Sequence, residues 1–252
     1  MTAHTDGSLA RTLAHRAGEL LLRLRAAPPP DRPPGPAADA AAQDLIATAL
    51  RHERPDDVLF SEEAPDPVAR SSASRVWIVD PLDGTREFAE VGRSDWAVHV
   101  ALWADGELVA GAVALPALGV TYATDAPPAV PPADGGPLRL AVSRSRPPAF
   151  VAALAEELGA RLVPMGSAGV KASAVWTGEV DAYVHAGGQY EWDSAAPVAV
   201  ARAAGLHASR LDGSPLRYNR PDPLLPDLVV CRPERAAEIL AAVARGAQEV
   251  TL

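Results

Sequence analysis

The sequence predicts a mixed fold of the α+β / α/β class, built in two halves over residues 1–125 and 138–252. Two observations lead to this prediction. Amphipathic helices are interspersed with short apolar strands, and the alternation of strand and helix becomes regular after residue 137. A segment rich in proline and glycine, residues 126–137, separates the two patterns and is expected to connect the halves.

The composition is typical of a globular protein. Of 252 residues, 48% are hydrophobic and 22% are charged, which is enough apolar material for a buried core. The net charge of −9 and the lack of a long basic run argue against nucleic-acid binding. One cysteine, no signal-peptide pattern and no apolar run of about 18 residues favour a cytoplasmic protein.

The first half is expected to open with two helices. Apolar residues recur at three- and four-residue spacing over residues 8–25 and again over residues 39–53. Residues 26–36 between them are rich in proline, which lacks the amide donor of a helix interior. We therefore expect a loop there.

Strands are expected to follow. A nearly continuous apolar run over residues 75–79 is typical of a buried strand, and it ends at Asp80. Residues 96–103 and 108–115 flank the dipeptide Asp105-Gly106, which favours a tight turn. These two segments should pair as an antiparallel hairpin.

The second half should alternate strand and helix. The predicted strands cover residues 138–143, 161–165 and 180–185, and the predicted helices follow Pro148, start at Ser167, and cover residues 193–204 and 233–245. Gly205 and Gly246 are expected to end the last two helices, because glycine is common just after a helix C-terminus.

The clearest chemical signal lies directly after the predicted buried strand. Asp80 and Asp83 stand three residues apart, with Pro81 holding Asp80 in extended geometry and Gly84 permitting a tight turn. The two carboxylates and the carbonyl of Leu82 can then converge on one hard cation. The alternative is an ordinary turn in which the carboxylates bond to their own backbone.

Further residues extend this candidate site. The amides of Thr85 and Arg86 follow the glycine and are placed to bind phosphate, so Gly84 and Thr85 are candidate substrate contacts. Glu62 follows a short apolar run, and Asp193 precedes an alanine-rich helix. The alternatives are a solvated surface glutamate for Glu62 and a helix N-cap for Asp193.

Together these motifs resemble the inositol monophosphatase family of lithium-sensitive, metal-dependent phosphatases. The family pattern of Glu-Glu, Asp-Pro-(Ile/Leu)-Asp-Gly-Thr and Trp-Asp occurs here in the same order, starting at Glu62, Asp80 and Trp192. The resemblance covers about residues 8–246 and implies a layered αβαβα sandwich. Residues 80–88 are similar to the CysQ branch, which removes the 3′-phosphate of adenosine 3′,5′-bisphosphate.

The resemblance also implies a set of metal ligands. One magnesium ion would be held by Glu62, Asp80 and the carbonyl of Leu82. A second would be held by Asp80, Asp83 and Asp193, so that Asp80 bridges the two. Two or three Mg²⁺ ions per site are expected on this basis.

The family uses a Thr-Asp pair to orient the attacking water, which here would be Thr85 with Asp39. The lysine and threonine that usually precede this aspartate are absent, and the chain reads Pro33–Ala38 instead. The alternative for Asp39 is therefore the N-cap of the second helix.

Two more segments are expected to contact the substrate. Gly166 and Ser167 resemble the family's Gly-Ser segment, and Lys171 after them resembles the bisphosphate nucleotidases, where a second phosphate needs a cation. Ser143 and Arg144, at the end of a strand, can bind phosphate or cap the next helix. The alternative for Lys171 is an exposed helix lysine.

The leading functional prediction is a magnesium-dependent phosphomonoesterase that converts adenosine 3′,5′-bisphosphate to AMP and phosphate. Its alternatives are the same chemistry on inositol monophosphate or fructose 1,6-bisphosphate, and a metal-free binding protein with the same fold. The expected partner is a small phosphorylated molecule, with neither nucleic acid nor membrane, and a homodimer is one candidate assembly. The isolated histidines, including His99, are interpreted as structural.

Overall fold

The structure is a computed structural model that describes residues 4–27, 34–145, 147 and 149–249. Within these residues, one sheet consists of β1 (Val58–Ser61), β2 (Arg75–Asp83), β3 (Ala97–Ala104), β4 (Glu107–Leu115) and β5 (Val120–Ala123), which lie side by side in that order. A second sheet consists of β6 (Arg139–Ser143), β7 (Arg161–Met165), β8 (Ala182–Tyr190), β9 (His207–Ser209) and β10 (Leu224–Cys231), in the spatial order β7-β6-β8-β10-β9.

The helices form layers around these sheets. They are α1 (Asp6–Ala26), α2 (Pro34–Glu53), α3 (Thr85–Ala89), α4 (Ala149–Glu157), α5 (Ala168–Trp176), α6 (Glu191–Ala203) and α7 (Pro233–Glu249). α1 and α2 cover the outer face of the first sheet, α5 and α6 lie between the sheets, and α4 and α7 cover the outer face of the second sheet. The predicted αβαβα layering is confirmed.

Strand β2 is apolar on both faces because helices cover the first sheet on both sides. Val76 and Ile78 belong to the core between the sheets, whereas Trp77 and Val79 belong to the core beneath α1 and α2. Every residue of β2 after Arg75 is buried. A strand of this kind needs no polar alternation, which is why its sequence reads as a continuous apolar run.

The predicted hairpin is confirmed. β3 and β4 pair antiparallel, and the turn residues Asp105 and Gly106 both have positive φ, of 47° and 102°. This is the backbone conformation for which an Asp-Gly pair is favoured in a two-residue turn.

Several predicted boundaries are wrong, among them the end of the strand predicted over residues 180–185, because β8 covers Ala182–Tyr190. The loop prediction over residues 26–36 fails at its end, because α2 already begins at Pro34; residues 28–33 lie outside the described residues. Proline is tolerated in a first helical turn, where the amide has no intrahelical acceptor. Gly246 does not end α7, which continues to Glu249.

The connection between the sheets is irregular over residues 127–138. The first sheet draws all its described strands from residues before it, and the second sheet from residues after it. The division into two halves stays a prediction, because α5 and α6 belong to the second half and also pack on the first sheet. In the described part of the chain, every helix is too short or too polar to cross a bilayer.

Candidate active site

Three carboxylates converge where β2 ends against the middle helix layer. One oxygen each from Asp80, Asp83 and Asp193 lies within 4.8 Å of the others. Residues three apart on a regular strand point to opposite faces, but the pairing of β2 with β3 shifts register between Asp80 and Asp83. Asp193 comes from the first turn of α6.

The charges of this cluster are mutually unfavourable without a cation. Burial, and then the charge of Asp83, raise the pKa of Asp80 well above its ordinary value. Burial and the same neighbour raise the pKa of Asp193 to about 7. A divalent cation among the three oxygens would remove the repulsion, and carboxylate oxygens suit a hard ion. The described residues therefore fit a metal site at this position.

Glu62 and Leu82 lie beside this cluster rather than within it. Glu62 follows β1 and lines the same cleft, although it is exposed at the rim. Partial burial and the charges of Asp83 and Glu63 raise its pKa to about 7, so it is not electrostatically isolated. The carbonyl of Leu82 accepts a hydrogen bond from Thr85 Oγ1 at 3.2 Å. The metal roles of Glu62 and Leu82 stay predictions.

Asp193 is both a cluster member and a helix-terminal residue. Its Oδ2 accepts a hydrogen bond from the amide of Tyr190, the N-cap residue of α6, at 2.6 Å. Asp193 is thus the third residue of the helix and not its N-cap, so that alternative is wrong in detail.

The loop at the start of α5 donates hydrogen bonds to Asp83. Ser167 Oγ and the amide of Gly169 both donate to Asp83 Oδ2, the latter at 2.8 Å. His99 Nε2 lies 3.3 Å from the same oxygen, and His99 Nδ1 lies 3.2 Å from the Trp192 carbonyl. His99 is fully buried, and its contact with Asp83 gives it a place in this site that the sequence did not indicate.

Asp39 lies in the interior of α2, since that helix begins five residues earlier, so the N-cap alternative for Asp39 is wrong. It is 4% exposed, and burial together with the charges of Glu63 and Glu62 raises its pKa to about 8. Its Oδ1 has no hydrogen-bond partner among the described residues. Thr85 Oγ1 donates its hydrogen bond to the Leu82 carbonyl and not to Asp39. The pairing of Thr85 with Asp39 therefore stays a prediction.

A cleft of about 340 Å³ opens over these carboxylates. Its lining includes the predicted substrate contacts Gly84, Thr85, Ser143, Gly166, Ser167 and Lys171. Gly84 has φ of +88°, and a β-carbon there would meet Ser167 Cβ and the Asp95 carbonyl at 3.3 Å each. The glycine therefore permits both the left-handed turn and the close approach of the neighbouring loops.

Lys171 is the only lysine in the chain, and it lies at the floor of the cleft. It is 5% exposed, so the alternative of an exposed helix lysine is wrong. Its Nζ donates to the carbonyls of Gly166 and Ser167 at 3.2 and 2.5 Å and lies 5.3 Å from the centre of the Tyr183 ring. Burial lowers its pKa, an effect that the charge of Asp83 opposes.

Arg144 lies against acidic side chains of the first half. Its guanidinium donates to Glu87 Oε1 at 2.7 Å and to Glu90 Oε2 at 2.5 Å. It is not among the described residues that line the cleft, whereas Ser143 is. A phosphate contact by Arg144 stays a prediction.

Other cleft residues were absent from the sequence predictions. Among them are Glu87 from α3 and Tyr183, His185 and Gln189 from β8, of which His185 is one of the isolated histidines interpreted above as structural. The available signal for β8 was the Gly187-Gly188 dipeptide, whose residues both have positive φ and lie where the pairing of β8 with β10 shifts register at the cleft. Glu87 stands in the segment of residues 80–88 that resembles the CysQ branch, but the resemblance assigned it no role of its own.

Known proteins resemble this chain along most of its length. The Inositol monophosphatase family model matches residues 30–127 and 136–249. The 3′-phosphoadenosine 5′-phosphate phosphatase of Mycobacterium leprae is 53% identical over 253 residues, covering 95% of this chain and 93% of that protein. The 3′(2′),5′-bisphosphate nucleotidase CysQ of Escherichia coli is 32% identical, covering 82% and 91%. The crystal structure of CysQ from Bacteroides thetaiotaomicron aligns with a TM-score of 0.76 and 28% identity, covering 89% and 96%.

Proposed function

Because the chain belongs to the inositol monophosphatase family, we propose that it hydrolyses the 3′-phosphate of adenosine 3′,5′-bisphosphate, giving AMP and phosphate. The observation that carries the proposal is the cluster of Asp80, Asp83 and Asp193 in one cleft with hydroxyl and amide donors. The names of the M. leprae and E. coli relatives supply the substrate class. A cytoplasmic location is part of the proposal, since the only cysteine is buried and unpaired.

The proposed cofactor is Mg²⁺, held by Asp80, Asp83 and Asp193 with Glu62 and the Leu82 carbonyl beside them. The donor set consists of oxygen alone, which magnesium prefers. Bound magnesium would neutralise phosphate oxygens and make a water molecule more acidic. The reaction then needs no covalent intermediate on the protein.

The protein's own groups orient the reacting molecules. The backbone amides after Gly84 are proposed to bind the 3′-phosphate that is hydrolysed. Thr85 and Asp39 are proposed to orient the attacking water. Ser167 and Gly166, on the facing wall, would contact the ester oxygen or the sugar. Positioning of this kind accounts for much of the barrier reduction in phosphate transfer.

Lys171 is proposed to favour a substrate with a second phosphate. Two of its three donors are used by backbone carbonyls, which leaves one donor and the positive charge to act on the cleft. A charge-assisted hydrogen bond contributes roughly 1.5–3 kcal/mol, or about ten- to a hundredfold in specificity.

The test is a comparison of kcat/KM on adenosine 3′,5′-bisphosphate, inositol 1-phosphate and fructose 1,6-bisphosphate in one magnesium buffer. We expect the wild type to prefer the adenosine compound over inositol 1-phosphate by at least about tenfold, and Lys171→Met to narrow that preference. Arg235→Met, which removes a half-buried cation on the outer helix α7, is the control. A wild-type preference for inositol 1-phosphate would contradict the proposed substrate.

A further inference from the structure

The loop between β7 and α5 is fixed by a residue of the other half of the chain. We propose that Asp95 is a positioning residue, which holds Gly166 and thereby sets the loop that orients the metal-binding carboxylate of Asp83. This inference rests on the proposed function, because it assigns Asp83 to the metal. Asp95 itself is not proposed to touch metal or substrate.

The first step is the contact between the two halves. Asp95 precedes β3, and its Oδ2 accepts a hydrogen bond from the amide of Gly166 at 2.6 Å. Arg93 donates to both oxygens of Asp95, with Nε at 2.7 Å from Oδ1. Each oxygen of Asp95 therefore has a partner, and Oδ2 accepts from the loop amide as well as from Arg93.

The second step is the fit of Gly166. A β-carbon on this residue would lie 2.6 Å from Glu87 Cδ and 2.8 Å from Asp95 Oδ2. Lys171 Nζ donates to the Gly166 carbonyl from the other side at 3.2 Å. Both polar groups of the Gly166 backbone are thus held by buried or half-buried side chains, and its position allows no side chain.

The third step connects the loop to the metal cluster. Ser167 Oγ and the Gly169 amide, one and three residues after Gly166, both donate to Asp83 Oδ2. Among the described hydrogen bonds, Asp83 Oδ1 accepts none, so this oxygen remains for a cation. Movement of the loop would release Oδ2 and allow the Asp83 carboxylate to rotate.

The backbone conformation of Ser167 indicates that contacts from other parts of the chain stabilise this loop. Its φ is +48°, a positive value that residues with a β-carbon seldom adopt. Surrounding contacts must maintain such a conformation. The Asp95–Gly166 bond holds the amide of the residue directly before Ser167.

The experiment compares Asp95→Ala and Asp95→Asn with wild type, and uses Arg93→Ala as the matched control. Magnesium binding is measured by calorimetry without substrate, and amide exchange over residues 165–170 is measured by mass spectrometry. In Asp95→Ala we expect the magnesium dissociation constant to rise by about tenfold or more and the Gly166 segment to exchange faster. Asp95→Asn keeps an oxygen acceptor and should recover most of both losses.

Arg93→Ala removes the ion pair but leaves the Gly166 acceptor, so its magnesium affinity should stay within about twofold of wild type. Unchanged affinity and exchange in Asp95→Ala would overturn the inference. Equal losses in Arg93→Ala and Asp95→Ala would overturn it too, since the ion pair would then be responsible. Neither measurement needs the substrate, so a failure of adenosine bisphosphate hydrolysis would be seen separately.

Discussion

Asp80 occupies the centre of the carboxylate cluster. It is 1% exposed, and its Oδ1 accepts a hydrogen bond from the Leu82 amide at 3.0 Å. The charges of Asp83, Glu62 and Asp193 all act on it and raise its pKa further than burial alone. We therefore predict that Asp80 is the ligand shared by two cations.

Replacing Asp80 with Asn should abolish nearly all phosphate release even at saturating magnesium, because the shared ligand loses its charge. The same substitution should raise the melting temperature of the metal-free protein, since it removes one buried charge from a repelling group. Activity assays and thermal unfolding in EDTA measure the two effects.

Asp105→Asn is the matched control for this substitution. Asp105 lies in the exposed β3–β4 turn, and asparagine tolerates its positive φ. Both activity and stability should stay near wild type there. Near-normal turnover by Asp80→Asn would exclude Asp80 as a metal ligand.

The raised pKa values predict how the metal-free protein depends on pH. Asp39 and Asp193 have pKa values of about 8 and about 7 in the fold, against about 4 in the unfolded chain. Between these limits the folded state binds more protons than the unfolded state. The free energy of unfolding in EDTA should therefore fall as pH rises from about 4 through 7 to 8.

Thermal unfolding at pH 5.5 and pH 8.5 measures this dependence. We expect the melting temperature in EDTA to be several degrees lower at pH 8.5, and magnesium to remove most of the difference by binding the ionised carboxylates. Asp193→Asn should flatten the dependence in EDTA. A melting temperature that rises with pH in EDTA would contradict the assignment of these pKa values.

Single residues of this site were predictable to different degrees. The spacing of Asp80 and Asp83 already indicates convergence on a cation, and the family resemblance implies that Asp193 joins them. Lys171 carried a weaker signal, because a helix lysine is normally exposed and burial depends on the fold. Asp95 and His99 carried none, because their contacts with Gly166 and with Asp83 and Trp192 arise only from the fold.

At the scale of elements, close packing of α6 on the first sheet depends on a glycine in β4. A β-carbon on Gly111 would lie 2.6 Å from Ala199 Cβ of α6. The alanine-rich face of α6 and the small residue in β4 allow the helix to approach the sheet. This approach brings the start of α6, with Asp193, to the end of β2.

Gly111→Ala should therefore lower the free energy of unfolding by about 1–3 kcal/mol through overpacking. Gly246→Ala should act in the opposite direction and raise it by about 0.5–1 kcal/mol, because Gly246 lies within α7 with open space around it. Denaturant unfolding of both variants measures the contrast. Equal losses in the two variants would contradict the packing argument.

The errors in element boundaries have physical reasons. Pro34 and Gly246 both carry end signals for a helix, yet first-turn proline needs no donor and a glycine near a C-terminus costs only about 1 kcal/mol. The short strands β5 and β9 had no distinct pattern over four and three residues. Their pairing is decided by neighbours that are distant in sequence.

At the scale of the whole molecule, the middle layer joins the two sheets into one core. Buried side chains from β2, β4, α5, α6 and β10 belong to a single cluster, with Ile78, Val113, Val175, Val198 and Val230 among its members. We therefore expect one cooperative unfolding transition, in which the calorimetric and van't Hoff enthalpies agree.

Scanning calorimetry in saturating magnesium tests this expectation, and a magnesium titration should shift the whole transition upward. Two separate transitions, with only one of them sensitive to magnesium, would show that the halves are independent domains. In that case the packing of α5 and α6 on the first sheet would contribute little to stability.

The connection over residues 127–138 is largely exposed, so we expect a protease to cut the chain there first. The amino-terminal piece would then carry Ile78 and Val113 on a sheet face whose cover belongs to the carboxyl-terminal piece. We therefore expect each piece to aggregate when it is produced alone. When the two pieces are mixed, we expect them to reassemble and to form the catalytic cleft again.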